Sequence, residues 1–468
     1  MSYLYKLRPL MQYLPTVTTP KYRVSFNDKL KWTAIVLLVF YILTEIPLFG
    51  LSPAKIDYFE SMRAVISGKF GSIITLGIGP IVTASIVMQL LAGSKMIDLD
   101  LSKEEDRKIF QGTQKLLAIL FTVLEAVPWV VMGGLPPDPS LGINLRLLEI
   151  ILIAQLTLGA IVIIYLDEVV SKWGIGSGVG LFIAAGVASQ IFIGSLNPLS
   201  PRDMPGEPSG AIPAFIHSLM TGSPTLVRGG LPDMLAVFST IFVFLLVVYA
   251  ESMRIEVPLS HGRVRGARGR YPIRLIYTSN IPVILAAALF ANIQLWARIL
   301  QGIGYPILGS FGSSGAPTSG LVWWLTPQRT LAEDILLGTV TLPDIGRSLF
   351  YLASMILFCT IFAKFWVETT GMGPKDIAKQ LSESGMLIPG FRRDVRVIEK
   401  ILDRYIPPVA IMGGAFVGFL AAFADFTGAL GGGTGVLLTV GIVYRLYEEI
   451  ASEQLMEMHP AIRQFFET

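Results

Sequence analysis

The sequence predicts an all-α polytopic membrane protein of about ten spans, arranged as two inverted halves of five, with a short half-apolar segment after the first span. Three observations predict it. Of 468 residues, 52% are hydrophobic and only 15% charged, against about 25% charged in soluble domains. Apolar runs reach about 20 residues, the length that carries a helix across a bilayer; barrel strands run to about ten and alternate. Lysine and arginine gather in alternate loops, as the positive-inside rule requires of a chain that crosses repeatedly.

The spans are read over 32–49, 72–91, 116–132, 147–166, 176–193, 234–250, 281–300, 348–367, 406–423 and 435–447. The tenth is short, so its start is expected earlier. Between the first two lies a half-apolar segment, 56–70, too short and too charged (Asp57, Glu60, Arg63, Lys69) to cross. The division is a 1–31 N-terminal segment, a first half 32–193, an external loop 194–233, a second half 234–450 and a 451–468 tail. The first 30 or so residues lack the short apolar core of a cleavable signal, so the first span is expected to act as its own signal.

Orientation follows from the basic residues. The N-terminal segment has Lys6, Arg8, Lys21, Arg23, Lys29 and Lys31, and the second-to-third loop has Lys95, Lys103, Arg107, Lys108 and Lys115. Two further loops, 254–274 and 372–404, are also basic, whereas the long loops after spans five and seven are nearly free of Lys and Arg. The basic loops and both termini are therefore cytoplasmic.

One cytoplasmic loop spaces Arg263, Arg265, Arg268 and Arg270 with glycines, and the other carries Arg392 and Arg393. Guanidinium forks match phosphate geometry, and glycine lets a backbone approach closely. The pattern fits an RNA-facing hairpin or extended loop as well as a purely topogenic charge cluster.

Five spans per half put the second copy in inverted topology. Span two is interrupted by Gly77, Gly79 and Pro80, and span seven opens on Asn280-Ile281-Pro282, in corresponding places. Such broken spans point to the central pathway of a transport protein. Span five opens with Gly174, Gly176, Gly178 and Gly180, and span ten with Gly431, Gly432, Gly433 and Gly435. Small residues let helices pack closely. No strand precedes the Gly174 run, so it is not a nucleotide-binding loop.

An ion-coupled transporter places carboxylates or histidine at mid-membrane. Glu45, Glu125 and Glu149 fall near external span ends, Asp167 and Glu168 near a cytoplasmic one, and His217, His261 and His459 outside the apolar runs. The centres hold branched apolar residues, which favours a passive conduit closed by dewetting. An inverted-repeat secondary solute transporter is the alternative reading. The single cysteine, Cys359, excludes internal disulfides and a cysteine-based zinc site.

The motifs Leu7-Arg-Pro-Leu, Lys31-Trp-Thr-Ala, Ile46-Pro-Leu-Phe-Gly50, Leu76 to Leu91, Gly174 to Ala184 and Tyr271 to Pro282 together resemble the SecY family, the α subunit of the Sec protein translocon. The likeness is to its archaeal and eukaryotic branch and leans archaeal. The resemblance implies a protein-conducting channel, not an enzyme, in a cell membrane (the endoplasmic reticulum being the alternative). Unfolded chain crosses its centre, and transmembrane segments leave sideways into lipid between spans two–three and seven–eight. It implies an apolar constricting ring of Ile78, Val82, Val179, Ile183, Ile281 and Leu438, with Leu437 adjacent to the last. Segment 56–70 resembles the family's external plug. Thr83, Gln89 and Asn292 match polar positions near the lateral gate, and Arg265 and Arg393 match loop positions in contact with the ribosome. Implied partners are the γ (SecE-like) and β small subunits, the translating ribosome, the nascent polypeptide with its signal sequence, and lipid. No cofactor is implied, and no ATP-binding motif is present, so the driving force comes from a partner.

Overall fold

The computed structural model describes all residues except 1–4, 7, 23, 53–67, 94–95, 98, 100–102, 132, 201–205, 223–224, 229–230, 262–267, 279, 313–314, 384–385, 388–393 and 459–468. Ten helices correspond to the ten predicted spans. They are α1 (Phe26–Glu45), α2 (Gly79–Gly93), α3 (Glu104–Val131), α4 (Leu145–Trp173), α5 (Gly178–Leu196), α6 (Met234–Ser252), α7 (Ile281–Gly302), α8 (Leu342–Thr369), α9 (Val395–Phe426) and α10 (Gly433–Met458). Seven of these, α3 to α9, are long and apolar enough by themselves to cross a membrane. The other three are shorter or carry charged ends.

The chain falls into two compact units. The first comprises Met1–Ile191, Leu295–Gly320 and Ile442–Thr468; the second comprises Phe192–Gln294 and Leu321–Gly441. In the first unit, α3 packs on α2 and α4, and α4 also packs on α1. Its external core joins Leu48, Leu76, Ala126, Val130, Leu135, Leu152, Leu156 and Ala160. At the cytoplasmic end Glu168 pairs with Lys115 and Lys172, each at 2.7 Å. Lys115 Nζ and Trp173 Nε1 also donate to the carbonyls of Pro15 and Thr18, at 2.7 and 2.8 Å. These bonds strap the N-terminal segment onto α3 and α4.

The largest departure from the sequence reading is at span two. Residues 73–78 form successive turns, and the helix begins only at Gly79. Gly71 and Gly77 sit at φ +80° and +52°, which a side chain would resist. Unwound backbone at membrane depth must be satisfied inside protein. Here Leu48 N donates to Gly71 O and Ile73 N to Ile46 O, both at 3.0 Å, while Thr75 Oγ1 donates to Ser72 O at 2.6 Å. Gly159 of α4 lets the segment come this close: a Cβ there would stand 1.9 Å from Ile73 O.

In the second unit α8 packs along α9. Gly414 and Gly418 of α9 meet the α8 backbone at Cys359 and Met355, where an added Cβ would lie 2.9 Å from each carbonyl oxygen. Helix α9 starts at Val395, well before the predicted 406, because its cytoplasmic turns are amphipathic: Ile398, Leu402 and Ile406 are buried, at i, i+4 spacing. Helix α10 starts at Gly433, two residues earlier than predicted.

The long external loops are partly structured. The first carries a short helix, Ala211–Met220. The second carries the hairpin β3 (Ser310–Phe311) and β4 (Pro317–Ser319), followed by short helices Gly320–Trp324 and Leu331–Leu337. On the cytoplasmic side β1 (Arg254–His261) and β2 (Arg268–Arg274) form an antiparallel hairpin. Strand β5 (Met386–Leu387), from the second basic loop, adds to the free edge of β1.

Candidate functional site

In the first unit, the turn segment delivers Ile78 to the start of α2. Ile78 is fully buried, and its carbonyl accepts the first helical bond, from Val82 N at 3.0 Å. It therefore precedes the helix. Ile78 is thus an entry residue and Val82 a helical one. Val82 is half-buried. On α5, Val179 is half-buried and Ile183 buried. The start of α5 is fixed by Asp167 of α4, whose Oδ1 accepts from Val179 N at 2.8 Å. The glycine run serves close approach: a Cβ on Gly178 would lie 2.5 Å from Asp167 Cα, and one on Gly180 3.5 Å from Ile442.

In the second unit, Ile281 opens α7 and is half-buried, and Leu437 and Leu438 of α10 are both buried. Buried Asn280 joins these elements by donating from Nδ2 to Leu437 O at 2.8 Å. An added Cβ on Gly441 would reach Asn280 Nδ2 at 2.2 Å, so glycine makes room for that amide. The entry to α10 is pinned as well. Asp425, buried at the end of α9, accepts from Gly433 N and from Tyr351 Oη, each at 2.9 Å. A side-chain oxygen that accepts from the first amide of a helix satisfies a donor the helix itself leaves unpaired.

Of the three positions expected at a lateral gate, one bonds to another helix among the described residues. Thr83 Oγ1 lies 3.1 Å from Oε1 of Glu125 on α3. Gln89 bonds within α2, to Ser85 Oγ at 3.2 Å, and exposed Asn292 bonds within α7, to Ala288 O at 2.8 Å. Glu125 was assigned only a place near a span end; the structure turns it inward onto Thr83 and Gly79. A Cβ on Gly79 would stand 3.0 Å from its Oε2. A lone acid within an apolar run was the signal for it.

Plug residues 56–67, and both Arg265 and Arg393, lie outside the described residues. Around the plug segment, Leu51 bridges Pro137 and Pro47 bridges Ser72, and the ring of Phe70, the segment's last residue, is tilted against that of Trp129 with centroids 5.7 Å apart. The two basic loops are built on one platform. Val257 and Ile273 of the hairpin share a core with Val367 of α8, with Ile377, Ala378 and Leu381 of the helix Pro374–Glu383, and with Ile398, Leu402 and Ile406 of α9. Tyr277 Oη donates to Met372 O at 2.9 Å; burial, the leading cause, raises this hydroxyl's pKa, so it remains a donor.

A model of the SecY family matches residues 72–447. The chain belongs to the SecY family. A second model, the plug domain of Sec61p, matches residues 38–71. The protein translocase subunit SecY of Methanothermobacter thermautotrophicus is 54% identical over 465 residues, covering 98% of each chain. That of Pyrococcus furiosus is 47% identical over 468 residues, with 98% of each chain covered. A solved protein-conducting channel superposes with a TM-score of 0.82 at 48% identity, over 97% of this chain and 99% of that one. Sec61 in a canine ribosome-channel complex gives 0.80 at 48% identity, with the same coverage. As a SecY-family member the chain is a multi-pass membrane protein and the channel subunit of a protein translocase, not an enzyme. The solute-transporter reading falls away, and the archaeal-type branch read from the motifs agrees with these relatives.

Proposed function

We propose that Ile78, Val82, Val179, Ile183, Ile281 and Leu438 line the constriction through which unfolded polypeptide passes. The observation that carries this reading is the buried, unwound backbone leading into Ile78. Non-helical backbone at that depth is tolerated only where it is packed in protein or lines a pathway. Branched apolar side chains at the end of such a segment form a loose gasket: they exclude hydrated ions by dewetting, yet bind no particular peptide sequence. Segment 56–70 is the plug that seats against this gasket in the idle channel. Thr83, Gln89 and Asn292 are polar positions of the lateral gate, and Glu125 joins them as the partner of Thr83. The Thr83–Glu125 bond joins α2 to α3 on one side of that gate and contributes about 1 kcal/mol to holding the pair together.

The two basic loops dock the translating ribosome, with Arg265 and Arg393 as contacts. Support comes from their shared platform and from the solved Sec61 relative in a ribosome-channel complex. Small γ-type and β-type subunits complete the assembly. Arg265→Glu combined with Arg393→Glu is expected to weaken ribosome binding about tenfold and to lower the salt slope by roughly two. Cosedimentation with ribosomes across a salt series measures both. Equal binding by the double variant would leave these arginines a topological role only.

A further inference from the structure

The external loop between α7 and α8 presents an apolar cluster that the channel reading does not use. Ile335, Leu336 and Leu337 are 59%, 62% and 59% exposed, and Leu342, the first residue of α8, is 84% exposed. The cluster is held in a fixed presentation. The Asp334 carboxylate accepts from Gln328 Nε2 at 3.0 Å and Thr330 Oγ1 at 2.9 Å, and Asp334 O accepts from Thr339 N at 2.9 Å. Gly338, at φ +70°, closes the helix Leu331–Leu337 directly behind the leucines.

Two neighbouring features give the level at which the cluster sits. Leu342, Ile345 and Leu349 follow one another at i, i+3, i+7 on α8, and all three are exposed. On a spanning helix such a stripe faces acyl chains. Beside the first turns of α8 lie Trp323 and Trp324. The Arg347 guanidinium stands 4.9 Å over the Trp323 ring, and the Trp324 and Phe350 rings are 5.4 Å apart. Tryptophan beside arginine at the end of a span marks the boundary between headgroups and hydrocarbon. The apolar cluster is therefore continuous with the lipid-facing stripe and adjoins an interfacial belt.

We propose that Ile335, Leu336, Leu337 and Leu342 insert into the outer leaflet and anchor the external loop between the seventh and eighth spans to lipid. The Asp334 bonds keep the polar side of the turn together while its leucines enter the boundary between headgroups and acyl chains. The anchor restrains the external end of α8 independently of any cargo in the channel.

The test places a nitroxide on Leu336→Cys, and on Ser452→Cys as an aqueous control, in a Cys359→Ala background. The full chain is reconstituted in nanodiscs of phosphatidylcholine and phosphatidylglycerol. Relaxation of each label by dissolved oxygen and by a neutral nickel chelate is measured. Oxygen is expected to relax the label at 336 more than that at 452, and the nickel chelate less. Nickel collisions at 336 as frequent as at 452 would put the cluster in water and overturn the proposal. Low accessibility to both reagents would mean that protein covers it, and would overturn the proposal equally.

Discussion

Replacing Ile78 and Val82 together with glycine is expected to raise the ion conductance of reconstituted vesicles by at least about tenfold. A permeation barrier lowered by about 1.4 kcal/mol already gives that factor. Each branched side chain accounts for about 1.5 kcal/mol or more of apolar transfer free energy, so removing two from a dewetted constriction exceeds it. The substitution also releases conformational entropy at the junction where the turns of 73–78 become α2. A companion variant, Ile78→Leu with Val82→Leu, separates sealing from folding. It keeps the apolar bulk and is expected to stay as closed as the native chain. Unchanged conductance in a folded glycine variant would remove these two residues from the seal.

Gly159→Ala is expected to destabilise the first unit by about 3 kcal/mol, read as a lower thermal midpoint of the solubilised protein. The reason is geometric. The new methyl would stand 1.9 Å from Ile73 O, a backbone atom that cannot rotate away. Either α4 retreats or the unwound segment is displaced, and Ile74, Leu76 and Ile78, all buried now, lose their packing. The displaced segment is the one that delivers Ile78, so the variant should leak ions as well as melt early. Gly302→Ala is the control. A Cβ at Gly302 meets nothing within 4 Å, and replacing a helical glycine with alanine is neutral or stabilising by up to about 1 kcal/mol. Equal midpoints for the two variants would contradict the packing of the turns on α4.

The sequence made the ten spans legible because membrane helices announce themselves by long apolar runs. It also flagged the break in span two, through Gly77, Gly79 and Pro80. It placed the helix start too early because Ile73, Ile74, Leu76 and Ile78 extend the apolar run, and hydropathy reports burial rather than helicity. The error at α9 is the reverse. Arg396, Glu399, Lys400, Asp403 and Arg404 hide a helix whose buried side is Ile398, Leu402 and Ile406. The i, i+4 period was there to be read, but a span-length window averages it away.

The functional residues divide the same way. The residues alone offered branched side chains in broken or glycine-flanked spans; the six proposed ring positions among them came from the family resemblance. Glu125 was seen but not understood, because only the fold turns it toward Thr83 and the glycine at 79. Asn280 acts over a long sequence separation, reaching Leu437 O, while Asp425 reaches across the turn between α9 and α10 to Gly433 N. Their partners are main-chain groups, which no side-chain pattern reveals. The arginine loops showed their composition plainly; the buried core that joins hairpin, α8 and α9 into one platform shows only in three dimensions.

The most direct test of the central claim is site-specific photocrosslinking of a stalled nascent polypeptide, with the probe placed in turn at 78, 183 and 281. If these residues line the constriction, the translocating chain crosslinks at all three positions in the ribosome-bound channel, and a probe at surface-exposed Leu349 gives no product with the same secretory chain. Absence of crosslinks at all three, while the stalled chain still crosslinks elsewhere in the protein, would contradict it.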